Sequence, residues 1–232
     1  MPLIVLWDID HTLIENSGVS KEIYAAAFAA LAGRTPLHPA RTEGRTDRLI
    51  LAGMFRDHGM EPPAWERIVR ALEVAGEGRE GDLAVRGRAL PGARDALEAL
   101  AGESGMVSSV LTGNIAANAR VKLRPFGLDA LLDMECGAYG EHSEDRAALV
   151  KVARERIQQT HGLPHDAPAV LIGDTPRDVQ AALGSDAHVI AVASGIHSVD
   201  ELRAAGASVV LSDLRDVSGL VSHLRSLASG SD

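Results

Sequence analysis

The sequence predicts an α/β fold: a parallel sheet with crossover helices, interrupted after its first strand by a helical insert. Three observations carry this. Short apolar runs rich in β-formers recur at residues 3–6, 107–111, 169–172 and 189–192, too brief for helices and apolar enough to be buried on both faces. Between them lie longer stretches of helical periodicity, at 93–101, 115–124, 145–159 and 199–204. From about Ser17 to Val85 helices are readable without a convincing strand, at 21–32, 47–58 and 63–75, closed by Gly33, Gly59 and Gly76.

Two weaker strands are expected at 132–135 and 208–211. The division read from this pattern is a core of residues 1–16 and 86–232 and a helical cap of residues 17–85. Its hinges are placed at Asn16-Ser17-Gly18 and in the Gly- and charge-rich stretch 76–82. Residues 229–232 are expected to be a frayed tail.

Composition narrows the function. The chain has 232 residues, 46% hydrophobic and 24% charged, but only 3% aromatic, so Ala, Leu and Val must fill the interior. A net charge of -9 opposes binding to phosphate backbones or anionic lipid, so neither nucleic acid nor membrane is an expected partner. A small anionic substrate can still be captured by a local basic site. The single Cys136 excludes a disulfide framework and a Cys-rich zinc site. With no leader or long apolar run, the expected location is the cytoplasm.

In an open parallel sheet, ligands bind beyond the carboxyl ends of the strands. Three predicted strands end in polar clusters: Asp8-Ile9-Asp10-His11-Thr12, Thr112-Gly113-Asn114, and Gly173 to Asp178. A fourth cluster is less regular, with Arg146 opening a helix after a loop. Crowded carboxylates at Asp8, Asp10, Asp174 and Asp178 invite a hard, oxygen-seeking cation, and Mg²⁺ suits them better than zinc. Thr12, Thr112, Asn114 and Arg146 offer donors to an anion. Each residue also has an ordinary reading. Asp174 and Asp178 suit a turn or helix start, Thr12 a helix cap, and Arg146 a solvated helix position.

Together these motifs resemble the haloacid dehalogenase superfamily of phosphohydrolases. An Asp-x-Asp-x-Thr is matched by Asp8 to Thr12, a strand-ending Thr by Thr112, a helix-start cation by Arg146, and Gly-Asp-x-x-x-Asp by Gly173, Asp174 and Asp178. The resemblance implies a Rossmann-like core with an α-helical cap of the phosphoglycolate phosphatase and β-phosphoglucomutase type. It implies Asp8 as nucleophile and Asp10 as acid/base, with Thr112 and Arg146 catalytic on the phosphoryl group. It implies Mg²⁺ held at Asp8, Asp10 and Asp174, with Asp178 part of or supporting that site. Substrate contacts would come from Thr12, Gly113, Asn114, His11 and, in the cap segment 43–47, Arg45. There Gly44 and Thr46 also suit a plain turn and helix cap. His11 stands where the family often has Gly, and Arg146 where Lys is more frequent, with Lys151 the alternative cation. The implied activity is a phosphatase of phosphoglycolate-like compounds or sugar phosphates, working as a monomer or homodimer. A phosphomutase, a dehalogenase, against which Asp10 argues, and a receiver-like binding module are the alternatives.

Overall fold

The computed structural model describes residues 1–230. The elements run β1 (Leu3–Trp7), β2 (Ile14–Glu15), α1 (Val19–Ala32), α2 (Asp47–Asp57), α3 (Trp65–Glu77), α4 (Glu80–Arg86), β3 (Arg88–Ala89) and α5 (Ala93–Ala101). They continue with β4 (Met106–Leu111), α6 (Ala116–Leu123), β5 (Asp133–Ala138), α7 (Arg146–His161), β6 (Ala169–Gly173), α8 (Pro176–Leu183), β7 (His188–Val192), α9 (Val199–Ala204), β8 (Val209–Leu211) and α10 (Val217–Ser229).

Six strands form one sheet in the order β5-β4-β1-β6-β7-β8, and every pairing in it is parallel. This is the α/β fold expected. All five residues of β1 are buried, because alternate side chains enter different cores. Leu3, Val5 and Trp7 pack with α5, α6 and α10 on one face. Ile4 and Leu6 pack with α7, α8 and α9 on the other. The chain leaves β1 toward β4 on one side and receives β6 on the other, so the order reverses beside β1. That crevice is where an open parallel sheet accepts ligands.

Helices α1 to α4 lie between β2 and β3, which pair as a short antiparallel ribbon. They bury a cluster around Ile23, Phe28, Leu51, Phe55, Ile68 and Leu72, which Ile115 and Val121 join from the start and the body of α6. Gly33 and Gly59 sit in the left-handed conformation that ends α1 and α2. Gly76 does not close α3 as expected: it is buried inside the helix, which runs to Glu77. The stretch 76–82 is likewise no loop, since α4 begins at Glu80. The β2–β3 ribbon was also unforeseen, being only two residues per strand.

The weak strand expected at 132–135 extends to Ala138, where β5 pairs with β4 across a register shift. Cys136, Gly137 and Ala138 are poor strand signals, which hid its second half. The chain end also differs: α10 occupies 217–229 and packs Leu220 and Leu224 into the core, with Gly230 as its cap. The rest of the expected tail, Ser231 and Asp232, lies outside the described residues. No helix among the described residues is long and apolar enough to cross a membrane.

Candidate active site

The parallel register brings the four polar clusters to one edge of the sheet. Asp8 follows β1 and donates its backbone N–H to the Ile172 carbonyl at 2.9 Å, locking it beside the end of β6. Thr112 follows β4, Asp174 follows β6, and Arg146 is the first residue of α7, whose N-cap is Asp145. These residues line a cavity of ≈ 190 Å³ with Asp10, His11, Gly113, Asn114 and, from the helical unit, Lys21, Tyr24 and Arg45.

Arg146 is buried and bridges two carboxylates. Its Nη2 lies 2.9 Å from Asp8 Oδ1, and its Nε donates to Asp178 Oδ1 at 2.8 Å. Lys151 is exposed on the same helix, whereas Arg146 reaches Asp8. Asp178 has its other oxygen engaged as well, accepting from the Thr175 N–H at 3.0 Å and hydroxyl at 2.7 Å in the capping box of α8. Asp174 has far less company: among the described residues its one side-chain hydrogen bond is from Thr12 Oγ1 at 3.3 Å. Burial, reinforced by the charges of Asp8 and Asp178, pushes its carboxyl well above the usual range. Asp8 is raised to about 6, by burial first, with Arg146 opposing and Asp178 and Asp10 adding to the rise.

Ligand oxygens of Asp8, Asp174 and Asp178 lie within 4.8 Å of one another. An all-oxygen donor set of three crowded carboxylates fits a hard divalent cation such as Mg²⁺, which would offset their repulsion. Asp178, with both oxygens occupied, is suited to orienting Arg146 and supporting the cluster.

Asp10 is in a different environment. Its Oδ1 accepts from Asn16 Nδ2 at 2.8 Å and Ser20 Oγ at 3.2 Å. Its Oδ2 accepts from Asn114 Nδ2 at 2.9 Å and Lys122 Nζ at 2.6 Å. Burial alone would raise its pKa, but Lys122 and Asn114 outweigh that and hold it at about 2. Lys122 passed unnoticed in the sequence, yet a signal was present. With Ile115 and Ala119 it falls at i, i+4, i+7 on the inward stripe of α6, where a lysine is out of place.

Thr12 departs from expectation. It is fully buried and its hydroxyl is turned to Asp174, so it orients a carboxylate and does not reach the cavity. His11 does line the cavity, with φ at 61° and its Nδ1 3.2 Å from Glu15 Oε2. The left-handed backbone explains why glycine suits this position; histidine is among the residues that tolerate it.

The helical unit is docked on the strand-end turn. Asp47, the first residue of α2, donates its N–H to the Gly113 carbonyl at 2.7 Å, and its buried carboxylate accepts from Ile115 N–H at 2.8 Å and Tyr24 Oη at 2.6 Å. A Cβ on Gly113 would lie 2.1 Å from the Arg45 carbonyl, so only glycine admits this approach. Gly44 does make a turn and Thr46 does cap α2, accepting from Leu49 N–H at 3.5 Å. Arg45 nonetheless lines the cavity, and it pairs with no carboxylate among the described residues.

The sequence and the fold are both matched by known proteins. The sequence matches the haloacid dehalogenase-like hydrolase family over residues 5–183. The chain belongs to that family. Among curated proteins, a probable phosphatase IndB from Dickeya dadantii (strain 3937) is 27% identical over 232 residues, covering 99% of this chain and 97% of that one. Among solved structures, a hydrolase from Pseudomonas syringae is 27% identical with a TM-score of 0.68, covering 98% of this chain and 100% of the other. A predicted phosphoglycolate phosphatase from Haemophilus somnus 129pt shares the fold at a TM-score of 0.65 and 17% identity, covering 95% and 98%. In this haloacid dehalogenase-like hydrolase, Asp8 and Asp10 thus meet the Thr112, Arg146 and Asp174 positions across a single cavity.

Proposed function

We propose that the protein is a Mg²⁺-dependent phosphatase that hydrolyses a small phosphorylated metabolite through an aspartyl-phosphate. The observation that carries this is the pairing of two unlike carboxylates at the end of β1: Asp8 faces Arg146 and Asp174, and Asp10 faces donors across the cavity. The roles follow from position: Asp8 sits against Arg146 in the acidic cluster, and Asp10 stands two residues on among hydrogen-bond donors across the cavity.

An Oδ atom of Asp8 attacks phosphorus as the ester P–O bond breaks, and the departing oxygen takes a proton from Asp10. Asp10 then accepts a proton from water, the water oxygen attacks the phosphorus, and the Asp8 carboxylate leaves. Arg146, Thr112 and the Gly113-Asn114 turn hold the phosphoryl oxygens. Asp8, the Asp10 backbone carbonyl and Asp174 would hold Mg²⁺, with Asp178 in support; the ion would neutralise charge on the transferring group. The helices of residues 17–85 serve as a cap. Lys21 lies 3.9 Å from Glu43 on the same lining, which leaves Arg45 as the cap's cation without a carboxylate partner among the described residues; it favours a substrate with a second acidic or hydroxyl-rich end, such as a phosphoglycolate-like compound or a sugar phosphate. The probable phosphatase among the relatives supports the same reading.

The test is a broad phosphate-ester panel with and without Mg²⁺, on the wild type and Asp8→Asn. Phosphate release that needs both Mg²⁺ and Asp8 is the expected result. Turnover retained by the variant would sink the mechanism, and transfer of phosphate to a sugar hydroxyl instead of water would make the enzyme a mutase.

A further inference from the structure

We propose that Lys122 is a positioning residue that, with Asn114, fixes the Asp10 carboxyl where it serves the leaving oxygen; this rests on the phosphatase reading above. Lys122 is only 1% exposed, yet it carries an ammonium into the core from α6. Its Nζ meets two groups, Asp10 Oδ2 and Asn114 Oδ1, each at 2.6 Å. Both partners line the cavity. Asn114 in turn donates from Nδ2 to Asp10 Oδ2 and to Thr112 Oγ1 at 2.8 Å, so lysine, amide and threonine form one connected set around the acid.

Stability does not account for this lysine. Burying an ammonium carries a desolvation penalty before pairing, and an apolar residue on the same inward stripe as Ile115 and Ala119 would pack α6 without it. What the lysine supplies is direction. The Asp10 side chain is 24% exposed, and Asn16 and Ser20 hold its other oxygen from the segment that leads into α1. Without Lys122 the carboxyl keeps only neutral donors, and its Oδ2 loses the one charged anchor that comes from the core.

The consequence is selective. Proton donation matters most when the departing oxygen is strongly basic, and it contributes on the order of 10²- to 10⁴-fold where it matters. A displaced Asp10 should therefore harm alkyl phosphates and spare activated aryl esters. The first transfer alone determines kcat/KM, since that ratio contains no step after the alcohol leaves.

The experiment measures kcat/KM with Mg²⁺ for a series from nitrophenyl phosphate through phenyl phosphate to an alkyl phosphate, for wild type, K122M, K122Q and K122R. Thermal unfolding of each variant accompanies the kinetics. The expected loss for K122M and K122Q grows along the series, from about threefold or less on the nitrophenyl ester to about tenfold or more on the alkyl ester. K122R, which keeps a cationic donor, should recover part of the alkyl rate. A uniform loss across the series, or none, in the folded variants overturns the proposal. If K122M does not fold, K122Q and K122R decide it by the same slope. A wild type that hydrolyses no member of the series overturns the phosphatase reading and this proposal with it, whereas a working wild type with a flat variant response overturns this proposal alone.

Discussion

At the scale of single residues, Arg146 shows how one side chain can be recognised in sequence while its second task is not. Its place at the start of a helix made it the candidate cation, with Lys151 the alternative, but its simultaneous hold on Asp8 and Asp178 depends on strands that meet only in the fold. A guanidinium can serve two carboxylates from separate nitrogens, whereas an ammonium is a point charge. R146K should therefore keep one partner and lose the other, lowering both turnover and melting temperature. R146A leaves two buried carboxylates uncompensated and should cost about 3–5 kcal/mol in urea unfolding. An R146K variant as stable as the wild type would show that the second contact is idle. Lys122 is the opposite case: no motif marks it, and only the inward stripe of α6 betrays it.

At the scale of elements, the strands with dense β-formers and the helices with clear periodicity were legible, and the failures have local causes. β2 and β3 are too short to show a period, and the Gly in β5 masks its second half. α4 was missed because neighbouring Gly and charged residues resembled a linker, and α10, ahead of the tail expected at 229–232, was not read at all. The docking of α2 on the turn after β4 was also illegible, since Asp47 looks like any acidic residue in a first helical turn. Its burial raises its pKa from the ordinary 3.8 to about 6, against the pull of Tyr24, Lys122 and the Ile115 N–H. The folded state thus prefers Asp47 protonated. That stabilising contribution is complete below the unfolded value and is lost as pH rises through about 6, a difference of up to roughly 3 kcal/mol. D47N, which does not titrate, should gain stability relative to wild type between pH 4 and 7 and run parallel to it above. Urea unfolding at a series of pH values measures this, and parallel curves throughout would contradict it.

At the scale of the whole molecule, a chain with net charge -9 gathers several of its acids at the crevice beside β1. The fold class and the convergence of the polar clusters were readable because parallel strands present their carboxyl ends at one edge. The balance of charge there was not, because it depends on which acids have partners. Asp178 is fully hydrogen-bonded, while Asp174 has one long contact and two acidic neighbours. A divalent cation that binds this cluster only in the folded state should stabilise the protein by about 2.7 kcal/mol at a hundred times its Kd. For a chain of this length that is a rise in melting temperature of roughly 5–10 °C. The same charge in NaCl should do much less, since screening acts weakly on a buried cluster. D174N removes both a ligand and a source of repulsion, so without metal it should melt at or above the wild type, and Mg²⁺ should no longer raise it. An undiminished Mg²⁺ effect in D174N would place the ion elsewhere, and no effect in either protein would mean that Arg146 alone compensates the acids.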